Sequence, residues 1–269
     1  MGKLYDALIE YGKSDYVPFH MPGHKRNTAM LPNWNSYEMD ITEIDGFDNL
    51  HDAEEILDQV MKEIATFRGA EESFLLINGT TCGLLAGISS CVQRGDQVLV
   101  ARNCHKAVYH GIFLNGLVPH YIYPPIHPHF GANGGISSEK IKNLLITYPD
   151  TKLVILTSPT YEGVVSDIEE IAKIAKEHGI GTAIDNTYAT PLHQNPYTYC
   201  IDLVCHTASK YMGGHSDIVA GVVAGSKEMI EQIAHEEREL LGSCMDPHQA
   251  WLLIRGLRTM PVRVKAHGE

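Results

Sequence analysis

Residues 152–185 read KLVILTSPTYEGVVSDIEEIAKIAKEHGIGTAID, and this stretch decides the architecture. KLVILT (152–157) and GTAID (181–185) are short apolar runs with little alternation, the pattern of strands buried on both faces of a largely parallel sheet. Between them SDIEEIAKIAKEHG puts Ile168, Ile171, Ala172 and Ala175 on one face of a helix. Ser166 and Glu169 have the spacing of a capping box at its start, and Gly179 follows its end. Working outward, SFLLI (73–77), DQVLVA (96–101), DLVCHT (202–207) and DIVAGVVAG (217–225) read as further buried strands. Strand–helix–strand repetition of this kind predicts an α/β fold, a doubly wound, mostly parallel sheet. The expected division is an N-terminal arm over 1–50 and one large domain over 51–269. The arm is rich in turn residues and carries no long strand, and 124–137 (PPIHPHFGANGGIS) reads as a surface loop.

Composition narrows the function classes. The chain has 269 residues and a net charge of -12, from 21 basic and 33 acidic side chains. That balance argues against a nucleic-acid-binding face, which must be basic. The N-terminus has no apolar signal core, and no apolar run approaches the length of a membrane span, so the expectation is a cytoplasmic protein without membrane contact. The six cysteines (82, 91, 104, 200, 205, 244) form no CxxC pair and read as buried or free thiols. His127 and His129 lie in a Pro-rich loop without a nearby acid, so no metal site is expected. Trp34 and Trp251 read as packing residues.

In open α/β sheets ligands bind beyond the carboxyl ends of the strands, so the residues directly after each strand matter most. After SFLLI come Asn78, Gly79, Thr80 and Thr81 and then an apolar helix. Such a turn offers backbone N–H groups and two hydroxyls to an anion; an ordinary strand–helix turn with a threonine N-cap is the other reading. After GTAID stands Asp185, an acid that needs a partner if buried: a protonated heterocycle, a metal or a helix N-terminus. After DLVCHT comes Lys210, with Thr207 and Ser209 before it and Gly213–Gly214 after it. An amine, a phosphate cradle and an acid for a pyridinium, converging on one sheet edge, are the parts of a pyridoxal-phosphate (PLP) site. His105, after DQVLVA, is a candidate to stack on the ring or a residue that starts a helix. Thr160 and Tyr161, after KLVILT, either reach the cofactor's phenolic side or form a plain Pro turn.

These residues resemble fold-type I PLP enzymes, in two parts. Residues 1 to about 180 are similar to the ornithine/lysine/arginine decarboxylases, through PFHMPGHKRN, DITEIDGFDNLHDAEEIL, the NGTT turn, RNCHKAVYHGI and SPTYEGVVSDIEEIA. From about 181 the chain is similar to the Cys/Met-metabolism enzymes, the cystathionine γ-synthase and γ-lyase group, through AIDNTYATPL, HTASKYMGGHSDIVAGVV and MDPHQAWLLIRGLRT. A decarboxylase of this kind would show Asp-Glu-Ala-His where Asp185-Asn186-Thr187-Tyr188 stands. A trans-sulfuration enzyme would show a tyrosine where His105 stands, and an N-terminal Tyr-x-Arg. Both families continue into a smaller C-terminal domain, which the resemblance places beyond the end of this chain.

The resemblance implies pyridoxal 5′-phosphate as cofactor, with Lys210 as its Schiff-base residue, Asp185 on the pyridinium and His105 on the ring face. It puts Gly79, Thr80, Thr207 and Ser209 at the phosphate; Thr81, and Thr160 on the phenolic side, complete the expected cofactor-binding residues. It further implies a small amino-acid substrate and a homodimer. The expected reaction is decarboxylation of a basic amino acid; β- or γ-elimination from a sulfur amino acid and cofactor binding without catalysis are the alternatives.

Overall fold

The computed structural model describes residues 3–20, 25–27, 37–39, 41–50, 52–68, 71–76, 79–242, 245 and 247–269. Asn78, Cys244 and Trp34, all singled out above, lie outside the described residues. In chain order the elements are α1 (Lys3–Lys13), α2 (Ile56–Arg68), β1 (Glu72–Leu76), α3 (Gly79–Cys91), β2 (Gln97–Ala101), α4 (Lys106–Asn115), β3 (Val118–Ile122) and α5 (Ser138–Thr147). They continue with β4 (Thr151–Thr157), α6 (Ile168–Glu177), β5 (Gly181–Asp185), α7 (Thr190–His193), β6 (Leu203–Thr207), β7 (Gly221–Gly225), α8 (Lys227–Gln232), α9 (Arg238–Leu241) and α10 (Pro247–Gly268). A π-helical turn, Ile233–Glu237, joins α8 to α9. The chain divides into two compact units, Met1–Ile64 and Ala65–Glu269, with the border inside α2.

In the first unit Tyr11 is buried and meets Phe47 edge-on at 5.3 Å, with the Arg26 guanidinium over its ring at 4.8 Å. Asp48 organises the turn that leads into α2. Its carboxylate accepts from the backbone N–H groups of Asn49, Glu54, Glu55 and Leu57. Burial works to raise its pKa, but those four donors together hold it below the usual carboxylate range.

The second unit is a seven-stranded sheet in the order β1-β7-β6-β5-β4-β2-β3. Neighbours from β3 across to β6 are parallel, while β7 runs antiparallel to both β6 and β1. The α/β class and mostly parallel sheet expected above are therefore the observed fold. Strand order reverses between β2 and β4, the kind of switch point beside which ligands bind at the carboxyl ends of the strands in open α/β sheets. The apolar face of α6 is buried as the spacing predicts, with Ile168, Ile171, Ala172 and Ala175 joined by Ile174. Each isoleucine so buried contributes about 1.5–3 kcal/mol.

Three details of the sequence reading are corrected. The N-cap of α6 is Asp167, whose side chain accepts from Glu170 N–H, so the cap is displaced by one residue. Ser166 is taken instead by the Ile136 N–H, which its hydroxyl accepts at 3.0 Å. Only 221–225 of DIVAGVVAG form a strand. Upstream, Val219 N–H donates to the Gln249 side chain and Ala220 N–H to the Ser209 hydroxyl, so side chains satisfy the backbone where a strand would otherwise do so. Finally β3 was not foreseen, because VPHYI carries Pro119 and a polar His120 and pairs only along β2.

Gly221 shows how tightly the sheet holds the start of α3. A Cβ there would overlap the Thr80 backbone, reaching 2.5 Å from Thr80 Cα. Gly221→Ala is expected to destabilise the fold by about 1–3 kcal/mol through overpacking. Thermal unfolding measures this, and an unchanged midpoint would show that α3 is free to lift off β7.

Candidate cofactor site

The parallel pairing of β4, β5 and β6 brings three strand ends to one edge, with Thr157 opposite Asp185 and Asp185 opposite Cys205. Asp185 is the last residue of β5 and is only 9% exposed. Its Oδ1 accepts two hydrogen bonds from Thr187, at 3.1 Å from the backbone N–H and 2.5 Å from the hydroxyl. Its Oδ2 has no donor among the described residues. Burial pushes the carboxyl's pKa up; the two Thr187 bonds and the nearby His105 offset this only in part. An acid in that position calls for a cation at its open oxygen.

Thr187 was not singled out in the sequence, although a threonine two residues past a strand-end acid was the available signal. Its hydroxyl also accepts from Thr207 N–H at 2.8 Å, tying the ends of β5 and β6 together through the Asp185 carboxylate. Beside it Asn186 is fully buried: its amide donates to Gln194 O at 2.8 Å and accepts from Gln194 Nε2 at 2.7 Å. Gln194 Nε2 also donates to Ser158 O at 3.0 Å, so this pair fastens the loop after β5 to the loop after β4.

Lys210 lies in the turn that follows β6, on the same sheet edge as Asp185 because β5 and β6 run parallel. Its side chain is exposed, and its Nζ makes no hydrogen bond or ion pair among the described residues. The turn is closed by Gly213 N–H on Ala208 O and Gly214 N–H on Lys210 O, each at 2.7 Å. Gly214 has φ +77, a conformation that favours glycine.

His105 is the N-cap of α4, its Nδ1 accepting from Ala107 N–H at 3.2 Å. That bond places the proton of a neutral ring on Nε2. The helix-start role foreseen for His105 is thus present, and the residue also lies close enough to Asp185 to act on its charge. Thr160 is buried and shapes the turn after β4, with its N–H on Val164 O and its hydroxyl accepting from Val164 N–H.

The hydroxyl residues gather at a second corner. Gly79 has φ +68, and Thr80 donates from its hydroxyl to His206 O at 2.8 Å. Thr207 pairs across to Gly221, against which the Thr80 backbone is pressed. Ser209 accepts from Ala220 N–H at 3.0 Å, so its hydroxyl is engaged with β7. Thr81 is exposed at the first turn of α3. Gly79, Thr80, Thr207 and Ser209 therefore share one corner, beside the N–H groups that open α3.

Aromatic and acidic groups lie near Asp185. Tyr188 meets Tyr161 edge-on at 5.8 Å. Burial first, then Asp185, Tyr161, Tyr211 and Glu162, push the Tyr188 phenol up. Tyr161 itself is 83% exposed. Burial pushes the Cys104 thiol up to about 12, leaving it protonated at neutral pH. Among the described residues no cluster of three potential metal ligands occurs.

These residues fit pyridoxal phosphate. The buried carboxyl with one open oxygen suits a pyridinium N–H, a free amine stands on the same edge, and a helix start with hydroxyls suits a phosphate. Comparison with known proteins agrees. The chain is 31% identical over 196 residues to an arginine decarboxylase of Bacillus cereus, covering 71% of this chain and 40% of that protein. It is 30% identical over 233 residues to a cystathionine gamma-synthase/O-acetylhomoserine (thiol)-lyase of Bacillus subtilis, covering 84% of this chain and 58% of that one. The chain thus spans about half the length of the curated relatives it matches. In fold it resembles a Campylobacter jejuni protein described as an O-acetylhomoserine (thiol)-lyase, which carries a pyridoxyl-lysine phosphate. The TM-score is 0.64 at 20% identity, over 78% of this chain and 58% of that one. The Cys/Met metabolism PLP-dependent enzyme description matches residues 54–269, all of the second unit and the end of the first. The chain belongs to that family, and pyridoxal 5′-phosphate is its cofactor.

Proposed function

We propose that the chain is the core of a PLP-dependent decarboxylase acting on a basic amino acid, of the ornithine/lysine/arginine type. Lys210 would supply the amine that holds the cofactor. When bound, the cofactor supplies an electron sink for the pair left as the Cα–carboxylate bond breaks. Asp185 keeps the proton on the ring nitrogen through its open oxygen, and Thr187 holds that carboxylate in place. His105 covers the ring face; Gly79, Thr80, Thr81, Thr207 and Ser209 form the phosphate corner, and Thr160 shapes the opposite wall.

The observation that carries the substrate reading is Glu162. The Thr160 hydroxyl and the residue's own N–H hold its carboxylate below the usual range, and Asn133 adds a bond at 3.1 Å. This anion acts on Tyr188, beside the Tyr161–Tyr188 ring pair. An anion and aromatic faces at the crevice suit a substrate whose far end is a cation. The similarity to arginine decarboxylases supports the same reading. Carbon dioxide release from lysine, ornithine or arginine tests it, and silence with all three counts against it. Glu162→Gln is expected to raise KM for the basic substrate by about two- to fivefold with little change in kcat, the scale of an exposed charge pair. Equal KM values in the two proteins would remove Glu162 from the substrate's path.

The second reading is elimination from a sulfur amino acid, favoured by the family match across 54–269. Release of an α-keto acid from cystathionine or homocysteine, without carbon dioxide, distinguishes it. A homodimer in the cytoplasm, with 1–50 as an arm beside a large domain over 51–269, belongs to the proposed reading.

A further inference from the structure

We propose that Arg263, on α10, is a positioning residue for Lys210; the inference rests on Lys210 being the cofactor's attachment point. Its guanidinium reaches back to the turn after β6. Nη1 donates to Tyr211 O at 2.9 Å and Nη2 to Met212 O at 3.3 Å, the carbonyls one and two residues past the lysine. Nη2 also donates to Gly256 O at 2.7 Å, and Nε to the Thr259 hydroxyl at 3.0 Å. One planar group thus binds the lysine turn and its own helix together. Only arginine offers donors in such a fixed fork, whereas lysine is a point charge.

The chain is shaped around this contact. A Cβ on Gly256 would come within 2.5 Å of Met212 O, and a Cβ on Gly214 would overlap the Arg263 guanidinium. Both glycines are therefore required for α10 to lie against the turn. Beneath the guanidinium, Met212 packs in one buried cluster with Leu253, Met260 and Val264 of α10. The apolar cluster sets the distance between helix and turn. The guanidinium sets the direction of the carbonyls, and so the orientation of the peptide units that follow Lys210. The lysine's own Nζ has no partner among the described residues, so its backbone is what aims it.

The test uses the full chain with added PLP and compares wild type, Arg263→Gln, Arg263→Lys and Lys210→Ala. Two quantities are read besides turnover. One is amide hydrogen exchange over 208–214. The other is the rate and pH profile of covalent attachment, followed by absorbance and by borohydride trapping mapped to peptides. For Arg263→Gln the expected results are exchange at 208–214 at least about tenfold faster, attachment about tenfold slower and a displaced pH profile. Exchange in β4 and β5 stays as in wild type, and Arg263→Lys recovers part of the loss. Wild-type exchange and attachment in Arg263→Gln would overturn the proposal. So would a uniform rise in exchange over the whole second unit, which marks a purely structural role. Should Arg263→Gln fail to fold, Arg263→Lys decides by the same local readouts. Trapping of the cofactor in Lys210→Ala would instead refute the attachment reading itself, whatever Arg263 does.

Discussion

Lys210→Ala is expected to abolish covalent capture of the cofactor and to lower turnover by at least about a thousandfold, with the fold intact. The two halves of this expectation have different causes. The Lys210 side chain is exposed and its amine bonds to nothing among the described residues, so its removal changes stability by no more than about 0.5 kcal/mol. Its chemical loss is large, because an amine fixed beside its reaction partner is worth an effective concentration of about 10⁵ M or more, which no amine in solution replaces. Absorbance after dialysis, borohydride trapping and thermal unfolding measure the three parts. A variant that stays coloured after dialysis and still turns over would show that another amine does the work.

Asp185→Asn is expected to move the apoprotein and the loaded protein in opposite directions. Without cofactor the carboxyl is buried, and burial raises its pKa above the usual carboxylate range despite the two bonds from Thr187 and the influence of His105. Between the ordinary value and the raised native value, the folded chain binds more protons than the unfolded one. Stability therefore falls as pH rises through that window, and the loss persists at neutral pH. Asparagine keeps an oxygen for Thr187 but carries no charge. The variant apoprotein should then be at least as stable as wild type at neutral pH, with the difference closing as the solution is acidified. With PLP present the order is expected to reverse, because the proposed function makes the ionised carboxylate the partner of the ring nitrogen. Removing one side of a buried charge pair costs about 3–5 kcal/mol, or roughly a hundred- to several-thousandfold in rate if expressed at the transition state. Melting curves with and without PLP over a range of pH test the crossing. Melting curves that keep the same order in both states would refute the pairing.

Much of this arrangement is legible in the chain. The buried runs 152–157 and 181–185 follow from their apolar content and the helix between them from side-chain period, and the parallel pairing of the strands puts Asp185 at an edge that β6 and Lys210 share. What sequence reading misplaced were choices among competing partners. Ser166 has the spacing of a cap, yet the Ile136 N–H claims its hydroxyl and Asp167 caps the helix. DIVAGVVAG has the apolar content of a long strand, yet its first half bonds to Gln249 and Ser209. Ser209 was a phosphate candidate, and its hydroxyl proves to be shared with the backbone of Ala220.

By itself the sequence determined the type of most central elements, β3 and the start of DIVAGVVAG excepted, and the edge at which the acid, the amine and the small-residue turn stand, since these depend on local period and on strand direction. Only the tertiary structure decided that Thr187 braces Asp185, and that Arg263 reaches the carbonyls of Tyr211 and Met212. The reason is physical. A hydroxyl or guanidinium bonds whichever acceptor the packed chain brings within about 3 Å, and no local pattern records which distant backbone that will be.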